Sequence, residues 1–218
     1  MRKCIISFVL LALLDVVGCG ASKETVNEKS NEEKANELIR AELFKTLYDY
    51  ESYEPIETIV KEAKNTTLNN KECWGYAIAA SAFFKETKKH IEKAKNAQEH
   101  MEIWGPPSYY SSSRSDRKYY EYEKEWKEHL NNAKLNFKRI HSAVDSIKCI
   151  KTKLDTIQII GWEVNHKFRC KTKGGHASIG NYKYIIDKHF EKIIFQIDTD
   201  DDNYSMMVEL LTNPESIK

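Results

Sequence analysis

The sequence predicts an α+β fold: N-terminal helices and a long antiparallel helical hairpin, packed on a small C-terminal three-stranded antiparallel sheet. Three observations carry this. From Cys73 to Trp104, and again from Tyr119 to Ile147, apolar residues recur in steps of three and four or their sums, the period of a helix with one buried face. Between these stripes, Gly105-Pro106-Pro107 stops the first helix and the polar stretch Ser108 to Arg114 turns the chain. After Asp155 the period changes to two. Trp162, Val164, His166, Phe168 and Cys170 alternate with Glu163, Asn165, Lys167, Arg169 and Lys171, the pattern of a strand with one buried face.

Residues 1–18 stand apart from the folded body. Arg2 and Lys3 form a basic start, and Cys4 to Leu14 is an apolar run too short to span a bilayer as a stable helix. Residues 19–36 are polar and charged with almost no large apolar side chains, so they predict a disordered tether reaching roughly 20–25 Å. The helical region follows over residues 37–155. A first helix is expected from about Glu37 to Ser52, with Leu38, Ala41, Phe44, Leu47 and Tyr48 on one stripe. Pro55 interrupts it, and Ile56, Ile59, Val60 and Ala63 resume a helical period, which places Pro55 in the first turn of a second segment. Asn65 to Asn70 is a loop by composition.

The hairpin comes next. Its first stripe reads Cys73, Ala77, Ala80, Phe84, Ile91, Ala94, Met101 and Trp104; its second reads Tyr119, Tyr122, Trp126, Leu130, Ala133, Phe137, Ile140, Val144 and Ile147. Helices of this length extend about 50 Å at 1.5 Å per residue and pack antiparallel when a short turn joins them. Residues 156–218 form the sheet and a short helix. Lys173-Gly174-Gly175 supplies a hairpin loop with glycine for the left-handed position. That register sets Phe168 opposite Gly180, His166 opposite Tyr182, Val164 opposite Tyr184 and Trp162 opposite Ile186, apolar against apolar. A second strand from about His176 to Ile186, a third from about Lys192 to Ile197 and a helix from Tyr204 to Leu211 complete the chain. Three strands are marginal alone, so the apolar face is expected to pack on the helices.

Composition excludes several partner classes. The chain carries 34 Lys and Arg against 33 Asp and Glu; without the leader's Arg2, Lys3 and Asp15 the two signs balance. A neutral chain gives no composition-level case for nucleic acid. Of five cysteines, Cys73, Cys149 and Cys170 lie in the body, enough for a single disulfide but not a disulfide framework. An antiparallel hairpin with its tip near Tyr110 brings Cys73 and Cys149 to the same end, where a bridge is geometrically open to them.

Catalytic and metal patterns are largely missing. The residues three before His90, His100, His129 and His141 are Thr87, Ala97, Trp126 and Lys138, which excludes the Glu-x-x-His of di-iron bundles. Zinc-protease, nucleophile-elbow, phosphate-loop and Cys-x-x-Cys motifs do not occur. His166 and His176 are separated along the strand by the predicted register, so they do not share a zinc ion with Cys170. Asp198, Asp200 and Asp202 with Glu209 imitate a calcium loop, but Asn203 stands where the sharp turn needs glycine. No cofactor, metal or catalytic residue is assigned.

Contact surfaces remain. Tyr109, Tyr110, Arg114, Arg117, Tyr119 and Tyr120 place amphipathic rings and cations at the hairpin tip, a composition that favours recognition of an envelope protein or glycan. Lys167, Arg169 and Lys171, with Lys173, line the polar face of the first C-terminal strand and offer a contact for an anionic glycan or lipid headgroup. A cleft between sheet and hairpin, with two carboxylates, is the alternative and would make the chain an enzyme acting on envelope glycan or peptide.

The segment Val16-Val17-Gly18-Cys19 resembles a bacterial lipobox: aliphatic residues, a small residue, then the cysteine that is acylated. The resemblance implies cleavage before Cys19, a lipid-anchored mature chain, and several acyl chains holding it stably in a membrane. Gly20 carries no acidic retention signal, which under the same resemblance implies outer-membrane sorting. Tyr50 to Thr58 (YESYEPIET) and Gly161 to Arg169 (GWEVNHKFR) are similar to segments of small Bacteroidota lipoproteins of uncharacterised activity, and that likeness implies an α+β lipoprotein without assigning catalytic residues. Asp145-Ser146-Ile147 and Asp155-Thr156-Ile157 resemble the O-glycosylation acceptor of the same phylum, which would place sugar on Ser146 or Thr156.

Overall fold

A computed structural model describes residues 29–216. Its elements run α1 (Asn31–Thr46), β1 (Glu54–Lys64), α2 (Lys71–Trp104), α3 (Ser113–Lys151), β2 (Ile159–Lys171), β3 (Ala177–Asp187), β4 (Ile193–Asp198) and α4 (Tyr204–Thr212). The strands form one antiparallel sheet in the order β1-β2-β3-β4. The α+β class with a helical hairpin is therefore correct, but the sheet has four strands and draws one of them from the N-terminal half.

That fourth strand corrects the expectation of a helix after Pro55. Ile56, Thr58, Ile59 and Val60 are β-branched, and β2 offers them a partner: Thr58 lies opposite His166, Val60 opposite Val164 and Lys61 opposite Glu163. Pro55 fits because β1 is an edge strand, and the register slips beside it. The hairpin α2–α3 is thus an insertion between two neighbouring strands.

The first helix also starts earlier than expected, at Asn31 rather than near Glu37, so the tether cannot extend to residue 36. Ser30 accepts from the Glu33 N–H while the Glu33 carboxylate accepts from the Ser30 N–H, a complete capping box. The helix ends at Thr46, and a 3-10 turn, Tyr50–Ser52, leads into β1.

The predicted register of β2 and β3 holds at all four pairs, and Gly175 sits in the left-handed region at φ 76°. What covers the sheet differs. Its apolar face, with Val164, Phe168, Tyr184 and Ile186, packs on Ala35, Ile39 and Leu43 of α1 rather than on the hairpin. The hairpin root packs on the opposite side, where Cys73, Trp74, Ala77 and Ile147 meet Ile197 of β4 and Met207 and Leu211 of α4. The Leu68 carbonyl joins the two bodies: it accepts from Trp74 Nε1 at 2.8 Å and from Lys183 Nζ at 3.2 Å.

Along the hairpin, Asn70 caps α2, Ser112 caps α3, and Gly105 ends α2 at φ 66°. The apolar seam is real near the root (Ala80, Ile140, Ala143, Val144) but thins outward. Ile91 and Phe137, expected on it, are exposed, while Thr87, Ala94, Ala97, Ala133 and Asn136 are buried. Small and polar residues, not large apolar ones, line the outer half. The bridge that was open to Cys73 and Cys149 does not form: Cys73, Cys149 and Cys170 are all free, with Cys73 turned into the root cluster and Cys149 on the exposed side of α3. No helix of the described residues is long and apolar enough to cross a membrane.

Candidate functional site

The hairpin tip is an ordered loop. Ser115 Oγ donates to the Trp104 carbonyl at 2.8 Å, which ties the end of α2 to the start of α3. Ser111 Oγ accepts from the Ser108 N–H and donates its one proton to the Asp116 carboxylate, with the Ser108 carbonyl also within reach. With the loop's polar atoms bound to each other, its two aromatic rings are left facing outward. Tyr109 is 95% exposed and Tyr110 93%, edge to face at 5.4 Å. Arg114 and Arg117 are exposed beside them. Tyr120 is exposed on the flank, whereas Tyr119 is half-buried against it. The tip residues expected as contacts are therefore gathered at one end, and the tyrosines do not fold back on the helices.

The basic stripe of β2 is compromised by the strand the sequence reading missed. Glu54 of β1 pairs with Arg169 at 3.6 Å, and Glu57 stands opposite Lys167. Lys167 is half-buried, and Lys171 and Lys173, at the end of the strand, are exposed with no carboxylate across the ladder. An anionic ligand there would compete with acidic groups already in place.

Two polar clusters lie inside the sheet. His166 is 2% exposed; its Nε2 meets the Tyr53 hydroxyl and its Nδ1 the Thr58 hydroxyl, both at 2.9 Å. Thr58 donates onward to Asn36 Oδ1 at 2.8 Å, so its oxygen accepts from His166 Nδ1–H and leaves Nε2 to accept from Tyr53. The ring is neutral: burial, with the Arg40 charge, lowers its pKa to about 4. On the other face, Glu163 bridges Lys183 at 3.1 Å and Lys61 at 3.0 Å. Burial alone would raise the Glu163 carboxyl, but the two ammonium groups hold it below the usual carboxylate range, while burial lowers Lys183 against the pull of Glu163. Both clusters brace the fold: His166 borders a cavity of about 290 Å³, but both its ring nitrogens are engaged by Tyr53 and Thr58. Tyr53, Thr58 and Asn36 were missed as partners of His166 because β1 was read as helix.

A cleft between α2, β4 and α4 carries Ser81, Lys85, Asp198 and Asp201. Its carboxylates are occupied by their own turn: Asp198 accepts from the Asp200 N–H and Asp201 from the Asn203 N–H. Asp200 accepts twice from Asn181, so the acidic turn is spent on holding itself and the neighbouring strand, not on presenting a calcium loop. Among the described residues no three His, Cys, Asp or Glu side chains converge as a ready metal site. Thr156 lies exposed in the turn between α3 and β2, whereas Ser146 sits within α3 and donates to the Ser142 carbonyl. Cys19 lies outside the described residues.

One pairing was visible in the sequence and not drawn from it. His90 and His129 are equidistant from the Tyr109–Tyr110 tip, and the structure brings their Nδ1 atoms to 3.2 Å across the seam. Compared with family models, with characterised proteins and with solved structures, the chain matches none.

Proposed function

We propose that this chain is an envelope lipoprotein, anchored by an acylated Cys19 in the outer membrane, that works by binding: a plate near the membrane and a rod that presents Tyr109 and Tyr110 to a partner protein. The observation that carries it is the tip itself. Two tyrosines stand almost fully exposed on a loop braced by hydrogen bonds from Ser111 and Ser115. Rigid aromatic rings on an ordered loop supply contact area at low entropic cost, the property of residues that dominate binding energy. The test is capture from native envelope extract with the full chain and with a Tyr109→Ala, Tyr110→Ala variant. A protein retained by the first and lost by the second supports the reading; equal retention, or none, removes it. Mass analysis of the mature product tests the anchor, which requires fatty acid on residue 19.

A second reading is an enzyme acting on envelope glycan or peptide in the cleft between α2 and β4; it requires Asp198 and Asp201, which accept from N–H groups of their own turn, to keep one oxygen each for substrate. Release of product from cell-wall or glycan substrates that disappears in Asp198→Asn and Asp201→Asn would favour it over binding.

A further inference from the structure

The outer half of the hairpin seam holds a layer that packing alone does not explain. His90 of α2 and His129 of α3 are half-buried, with ring centroids 5.3 Å apart and Nδ1 atoms 3.2 Å apart. One helical turn back on α2, Thr87 is buried and its hydroxyl has no hydrogen-bond partner among the described residues. Polar groups buried at a helix interface cost stability unless they are satisfied, and apolar residues would fill these positions at no such cost. The neighbouring seam positions are small: Ala94, Ala97 and Ala133.

The separation of the two nitrogens is informative. In a tetrahedral complex with nitrogen about 2.0–2.1 Å from the metal, two ligand nitrogens stand roughly 3.3–3.4 Å apart. His90 and His129 already meet that spacing to within about 0.2 Å, from two different helices. In the neutral pair one Nδ1 carries the proton that the other accepts. When that ring moves its proton to Nε2 and the two side chains tilt about their χ angles, both Nδ1 lone pairs converge on one ion, with no net loss of protons.

The site is open on one side. A cavity of about 500 Å³ adjoins His129 and is lined by Asn96, His100, Glu125 and Glu128, with Lys93 also on its wall. Glu125 is one turn from His129 on α3, so its carboxylate is placed to reach an ion at the pair by a rotamer change, while water fills what remains. The two carboxylates offset the opposing charge of Lys93. We propose that His90 and His129 form a two-imidazole site for a divalent transition ion of the zinc and copper class, which would cross-link the arms of the rod between root and tip. The proposal does not depend on the binding reading above.

The test uses the full chain near neutral pH, titrated calorimetrically with zinc chloride and separately with copper(II). Saturation at one ion per chain, at least about a tenfold loss of affinity in His90→Ala and in His129→Ala, and no change in His176→Ala are expected. Thermal unfolding should shift upward with zinc in the unsubstituted chain and in His176→Ala, and in neither His90→Ala nor His129→Ala. Should either alanine variant lose its helical circular dichroism, the copper(II) electron paramagnetic resonance spectrum of the unsubstituted chain decides: couplings from two imidazole nitrogens uphold the site, and their absence overturns it. Failure to bind zinc or copper, or equal binding by both alanine variants when folded, overturns it as well.

Discussion

The backbone N–H of Asn65 donates to the Gln158 carbonyl at 2.9 Å, and their side-chain amides meet at 3.3 Å. The hairpin therefore leaves the sheet and returns to it through one closed gate between β1 and β2. Everything beyond the root clusters is mechanically separate from the plate. Replacing residues 88–136 with a short loop should leave the root packing of Cys73, Trp74, Ala80, Ile140 and Ile147 in place. The shortened chain is expected to unfold cooperatively with a midpoint within several degrees of the full chain, by calorimetry, while losing any tip-dependent partner.

Gly161 tests the β2–β3 register. A Cβ at this position would stand 2.0 Å from the Ile186 carbonyl oxygen, a backbone atom that cannot move without opening the ladder. Gly161→Ala should cost about 3 kcal/mol or more in urea unfolding.

The Glu163–Lys183 pair should behave asymmetrically. Lys183→Met alone leaves a buried carboxylate facing only Lys61, and a loss of about 3–5 kcal/mol is expected. Adding Glu163→Leu should restore much of it, because an apolar pair needs no compensation there. A double variant no more stable than Lys183→Met would contradict this account.

Acid should act through His166. Its folded pKa, about 4, lies below the ordinary histidine value of 6.5, so the unfolded chain takes up a proton that the folded chain refuses. The neutral ring's stability is present above about pH 6.5 and is lost as pH falls towards 4, a cost of about 3 kcal/mol once complete. His166→Asn should be weaker at neutral pH, since Tyr53 and Thr58 lose their partner, and should show a flatter stability profile across that window.

Thiol labelling should rank the cysteines of the body. Burial pushes the Cys73 thiol up to about 11 and also raises Cys170, while Cys149 is exposed. In the folded chain near neutral pH, Cys149 should react first, Cys170 more slowly and Cys73 only on unfolding, as read by peptide mass analysis.

What the sequence revealed follows from how local each signal is. The β2–β3 hairpin was legible to the residue because a strict period of two runs into a glycine loop, and a one-residue slip would have turned Val164 and Phe168 to the wrong face. β1 was not. Ile56, Ile59, Val60 and Ala63 satisfy a helical spacing as well as a strand, and the partner that decides, β2, lies on the far side of the hairpin. The covering of the apolar face by α1 was hidden for the same reason. In the rod, Ala94 and Ala133 are buried on the seam as their spacing predicts, but Ile91 and Phe137, placed there by their hydrophobicity, are exposed, and Ala97, which the stripe left out, is buried where the two helices approach closely. The tip tyrosines were legible because the residues that break and cap the helices flank them.

The gate at Asn65 and Gln158 also makes stand-off distance a free parameter. Seven residues added to each arm would carry Tyr109 about 10 Å farther from the plate. They would keep the same helical faces turned inward to within about 20°. Whole-heptad duplication would thus retune how far the tip stands from the sheet, with no change to a single strand.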